Sequence, residues 1–113
     1  MKRNSVDGLV LRMYLGEDDR VGHQPLYEAL VIKARQLGLA GATVLRGPMG
    51  FGAHHEMHTE KILRLSTDLP VLLEVVDEAA KIRAALPELE KLAPSCLATL
   101  HAIEMRRPQP GAG

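Results

Sequence analysis

Aliphatic residues recur along this 113-residue chain at two different spacings, and the order of those spacings leaves few folds open. Over residues 6–15 the spacing is two. Leu9, Leu11, Met13 and Leu15 share one face of an extended segment, and Val10, Arg12 and Tyr14 share the other. After a polar stretch at 16–22 the spacing becomes helical, with Leu26, Ala29, Leu30, Ala34 and Leu37 at offsets of 3, 4, 8 and 11. Pro25 suits the first position of that helix, because the N–H it lacks would have no intrahelical partner there. Gly38 closes the helix as a C-cap.

Extended spacing returns at 42–46 and again within 62–76, where Val71, Leu73 and Val75 share one face and Leu72, Glu74 and Val76 the other. Pro70 has no N–H for a sheet ladder and predicts a bulge or an edge position for that strand. Asp77 has the side chain of an N-cap. Ile82, Leu86, Leu89 and Leu92 or Ala93 then form a second helical stripe. Pro87 falls inside that stripe and predicts a kink or a restart. Pro94 ends the helix, and 97–105 reads as the last strand. From Arg106 onward the Pro- and Gly-rich sequence predicts fraying. The expectation is a single domain over 1–113, with an ordered core of about 6–106 and a flexible tail at 107–113. The order is β-α-β-β-α-β, an α+β, ferredoxin-like arrangement with a four-stranded antiparallel sheet and both helices on one face.

Composition narrows the function classes. Tyr14, Tyr27 and Phe51 are the complete aromatic set, so the core must be aliphatic and no platform exists for stacking single-stranded bases. Fourteen basic and fourteen acidic residues cancel, which argues against a nucleic-acid partner. The single cysteine, Cys96, excludes an intrachain disulfide and a cysteine-based zinc site, and its neighbours suggest a small buried hydrophobe. No run approaches the ~20 apolar residues of a membrane span, and 1–8 lacks a signal-peptide core, so the expected location is cytoplasmic. Both faces of the first and third strands carry aliphatics, although a sheet face turned away from its helices should be polar if it meets water. Burying ~500 Å2 of such a face per subunit would contribute on the order of 12 kcal/mol before association costs, so a homo-oligomer is expected.

The most chemically suggestive stretch is 46–64. Gly47, Gly50 and Gly52 follow a strand, and successive backbone N–H groups in such a segment can cradle an anion. Arg46, Lys61 and Arg64 flank it. The competing reading is a hinge whose glycines simply permit the bend. His54, His55 and His58 lie within five positions, with Glu56 among them. Imidazole suits zinc, copper or nickel, so these three are candidate ligands for a divalent metal. Solvated loop histidines, or one pairing with a phosphate, are the alternative. Glu17, Asp18 and Asp19 read as a solvated acidic run, and His101 as a satisfied structural histidine. No nucleophile motif or diagnostic acid–base spacing occurs, so an enzyme is not expected.

Several stretches resemble an uncharacterised family of PII-like proteins from bacteria and archaea. They are Pro25-Leu26-Tyr27-Glu28-Ala29, Gly41-Ala42-Thr43-Val44-Leu45-Arg46-Gly47 leading into Met49-Gly50-Phe51-Gly52, and His58-Thr59-Glu60-Lys61-Ile62 with the residues up to Ser66. Asp68-Leu69-Pro70, Val75-Val76-Asp77 and Leu86-Pro87-Glu88-Leu89 extend the likeness. That family belongs with the nitrogen regulatory protein PII and the cation-tolerance protein CutA. The resemblance implies a homotrimer with its sheets facing the three-fold axis. It also implies a partner-binding loop at 47–61, the counterpart of the PII T-loop, and an adenine-nucleotide effector in clefts between subunits. The candidate ligand-binding residues are thus Arg46, Gly47, Gly50, Phe51, Gly52, Lys61 and Arg64 of the glycine-rich stretch, together with Arg106, which the resemblance carries over with Arg107 beside it. The partner implied is a membrane transporter or another protein. Two departures are visible: residues 92–96 contain no glycine where PII has its phosphate loop, and 47–61 contains no tyrosine. A CutA-like metal-binding protein using His54, His55 and His58 is the alternative function.

Overall fold

The computed structural model describes residues 3–50 and 69–108. Strand β1 (Arg3–Gly16) leads through a short hairpin, β2 (Arg20–Val21) with β3 (Gln24–Pro25), into helix α1 (Leu26–Gln36). Strands β4 (Gly41–Arg46) and β5 (Pro70–Glu78), helix α2 (Ala79–Leu92) and strand β6 (Leu97–Pro108) follow. The sheet order is β4-β5-β1-β6, with each neighbouring pair antiparallel. This is the expected ferredoxin-like arrangement, with a small hairpin that starts within the polar stretch at 16–22 and runs on to Pro25.

The period-two face of β1 forms the centre of the core. Leu9, Leu11, Met13 and Leu15 are buried with Val71, Leu73 and Val75 of β5, and Leu26, Leu30, Ile82 and Leu89 cover them from the helices. Removing each large aliphatic side chain from water contributes roughly 1.5–3 kcal/mol. Helix α1 starts with Pro25 at its N-cap, and the Leu26 amide donates to the Asp19 carbonyl at 2.7 Å. It ends at Gln36 with Leu37 as its C-cap, and Gly38 follows with a φ of 77°, left-handed and open to glycine at no steric cost. Leu37 is exposed, not part of the buried stripe.

Three expectations are corrected and one is narrowed. β5 lies between β4 and β1, so Pro70 begins a central strand; as its first residue it removes no interior rung. Asp77 is not a cap. β5 runs on to Glu78, and α2 starts without a side-chain cap bond. Paired with Leu9 on the helix-covered side, the fully buried Asp77 carboxylate accepts from the amides of Ala40 (2.9 Å) and Glu78 (2.6 Å). Pro87 sits inside one continuous helix, so the helix does not restart there; it and Arg83, whose carbonyl it leaves without a helical donor, are both exposed, where water can hydrate that carbonyl. Finally, β6 continues through Arg107, paired with Asn4, so neither residue belongs to a tail.

β5 accompanies β1 over Gly8–Gly16, whereas β6 accompanies it from Arg3. Residues 3–7 and 104–108 therefore form a two-stranded ribbon beyond the four-stranded body. The helix-free face presents Tyr14, Leu72 and Val76, half-buried, and Leu45 and Leu97, each about half exposed at 52% and 51%. In its middle the Arg12 Nε lies 3.1 Å from Glu74 Oε2.

Candidate functional site

The end of the sheet where β4 finishes, β5 begins and β1 turns away gathers the most distinctive polar group. Register puts Arg46 opposite Val71, and Val71 opposite Leu15. Two further backbone bonds extend this corner beyond the strands. The Gly47 amide donates to the Pro70 carbonyl and the Glu17 amide to the Leu69 carbonyl, both at 2.8 Å. The points where the chain leaves the sheet at 47 and returns at 69 are thus tied to one another and to the end of β1.

Arg46 is held from two sides. Its Nη2 donates to the Tyr27 hydroxyl at 3.3 Å, and the same nitrogen lies 3.5 Å from Glu17 Oε1. The guanidinium carbon is 5.9 Å from the centroid of the Tyr27 ring, within cation–π range. Tyr27 stands in the first turn of α1 and packs partly against the core, so it is a fixed platform. The Tyr27 hydrogen bond first, and the Glu17 charge second, raise the guanidinium above its ordinary range. The cation is permanent, oriented, and still 55% exposed along its side chain. A guanidinium in that state can take a carboxylate or phosphate through its free N–H donors.

The Gly47 amide is taken by Pro70, so it is not offered to a ligand as the anion-nest reading supposes. Gly47 and Gly50 both lie against Pro70: a Cβ on either would come 3.0 or 3.3 Å from the proline Cγ. Phe51, Gly52, Lys61 and Arg64 lie outside the described residues, as do His54, His55 and His58. Among the described residues no cluster of three or more His, Cys, Asp or Glu could hold a metal ion. Arg106 is exposed on β6, level with Ser5, while Arg46 is level with Leu15. Ten positions of β1 separate the two levels, roughly 33 Å at strand rise, so one chain does not bring these arginines together.

Tyr27 and Glu17 are the site residues that sequence reasoning missed. Tyr27 stands within a quoted family stretch, but its role needs the α1–β4 contact to become visible. The acidic run at 17–19 is structured, not merely solvated. Asp19 Oδ2 accepts from the Gly16 amide at 2.9 Å, and Glu17 faces Arg46. His101, on the exposed part of β6, has Thr99 Oγ1 at 3.2 Å. Cys96 is half-buried just before β6; its thiol donates to the Tyr14 carbonyl, and burial pushes its pKa up to about 11. No helix among the described residues is long and apolar enough to cross a membrane.

Residues 8–105 match the profile of the DUF190 family (Uncharacterized ACR, COG1993). A UPF0166 protein of Aquifex aeolicus (strain VF5) is 37% identical over 81 residues, which cover 72% of this chain and 77% of that protein. Among solved structures, CPII from Thiomonas intermedia K12 bound to ADP, AMP and acetate matches with a TM-score of 0.64 and 16% identity, over 93% of this chain and 94% of that one. The apo form of the same CPII, a nitrogen regulatory PII-like protein, gives 0.59 at 17% identity, over 94% and 99%. At such identities the structural likeness establishes the fold, which is that of the PII-like ferredoxin-type proteins.

Proposed function

The chain belongs to the DUF190 family, and from that premise we propose that it is a PII-like regulatory protein whose effector is a small anion, an adenine nucleotide, bound at Arg46. One observation carries this reading: a permanently charged guanidinium, steadied by Tyr27 and left open to solvent, stands where β4 leaves the sheet. That a PII-like neighbour holds ADP and AMP gives the anion its chemical class. Copies of the chain would associate as a homotrimer through the helix-free face, covering Leu45, Tyr14, Leu72, Val76 and Leu97. A crevice between copies could then join Arg46 of one subunit to Arg106 at the opposite sheet end of another, which a single chain keeps apart. Effector binding would favour one state of 47–61 over another and so change the affinity of that segment for a partner protein, a membrane transporter among the candidates.

Calorimetric titration with ATP, ADP and AMP, beside sedimentation analysis, tests both parts. Saturable heat with at least one nucleotide, lost about tenfold or more in affinity in Arg46→Ala, is the expected outcome. No heat at millimolar nucleotide, or a monomer throughout, would overturn the proposal.

A further inference from the structure

The Nη2 of Arg46 has two neighbours of different kinds. The Tyr27 hydroxyl is neutral and can remain beside an arriving anion. The Glu17 carboxylate, 3.5 Å away, carries the same charge as any such anion and stands on the same nitrogen. Glu17 is also not a roaming surface side chain: its amide is fixed to the Leu69 carbonyl, and its side chain is only 29% exposed. We propose that Glu17 is a resident competitor for the anion site, occupying Arg46 until a more highly charged ligand displaces it.

This rests on the anion-binding reading of Arg46 and adds a selectivity rule to it. A ligand carboxylate exchanges one unit of negative charge for another at the guanidinium and gains little. A di- or triphosphate brings more charge than Glu17 does and wins the exchange, so the site favours polyphosphates over small carboxylic acids. The exchange also reaches the backbone. The residue that gives up the cation is the one whose amide holds Leu69, and the cation itself adjoins Gly47, whose amide holds Pro70. Ligand charge is therefore felt at both ties that close the base of the 47–69 segment.

The test uses the full chain with ADP and inorganic tripolyphosphate as probes, comparing wild type with Glu17→Gln and Arg46→Ala. Two unit charges of like sign ~4 Å apart in a watery surrounding oppose each other enough to weaken binding about fivefold. Glu17→Gln should then bind both probes about fivefold more tightly at low ionic strength. The gain should shrink towards zero in 1 M salt, where screening acts within ~3 Å. A purely structural role for Glu17 would give no salt-dependent gain. If wild type and Glu17→Gln bind the probes equally, or the variant binds more weakly, the competitor role is wrong while the anion site stands. If neither binds, or Arg46→Ala binds as wild type does, the anion site at Arg46 falls and the competitor role falls with it.

Discussion

Each end of the sheet holds an arginine beside acidic residues, and the two arrangements have opposite character. At the end where β5 stops, Arg107 Nη1 lies 3.7 Å from Asp77 Oδ1 and 3.4 Å from Glu78 Oε2. Asp77 there is 1% exposed, and its two oxygens already serve the amides of Ala40 and Glu78. That is the pattern of a structural junction: a buried acceptor joins the loop after α1 to the end of a central strand, and the arginine neutralises it from outside. At the other end the order is inverted. The arginine is the central group, its partners are a phenol and a partly exposed carboxylate, and its charge faces water. A charge whose surroundings satisfy it stabilises the fold; one held in place but only partly satisfied is available to a ligand.

Substitutions at the two ends should therefore separate stability from binding. The largest effect is expected for Asp77→Ala, which strips two amides of a charged acceptor at a buried position. It should lower the free energy of unfolding by about 2–3 kcal/mol in urea titration, whereas Arg46→Ala should leave the unfolding midpoint close to wild type. Equal loss of stability in both variants would erase the contrast. Next is Cys96, at the Arg46 end of β1, where the thiol meets Tyr14. With its pKa pushed up to about 11, alkylation at pH 8 should run on the order of a hundredfold slower than in the unfolded chain, where the thiol ionises near its ordinary value. The stability associated with this buried, protonated thiol is present below pH 9 and is lost as pH rises through 11. The smallest effect belongs to Arg107→Gln. Its side chain is 42% exposed, so removing its charge should cost about half a kcal/mol, and a much larger loss would mean that Asp77 depends on it.

The architecture was legible because it is written in spacing. The alternation through Leu9, Leu11, Met13 and Leu15 and the stripes of α1 and α2 needed no partner to be recognised. Asp77 was misleading for a physical reason. An Asp before a helical stripe is a cap signature, yet the alternation Val71, Leu73, Val75 continues to it, and the strand pattern prevailed. Arg46 was visible as a basic residue beside glycines. Its partners were not, since Tyr27 and Glu17 reach it through the docking of α1 and the β4-β5-β1 register, contacts that no local pattern encodes. The same long-range pairing takes the Gly47 amide and separates Arg46 from Arg106 by the length of the sheet.

Among the described residues the paired overhang of residues 3–7 and 104–108 has no third strand beside it, unlike the rungs at Gly8–Tyr14. A ladder that lacks neighbours frays from its free tip inward, and its amide protons trade with solvent before those of the central strands. Melting of the sheet would then begin at the extremity farthest from the Tyr27 platform, leaving the cation poised there until the last strands part.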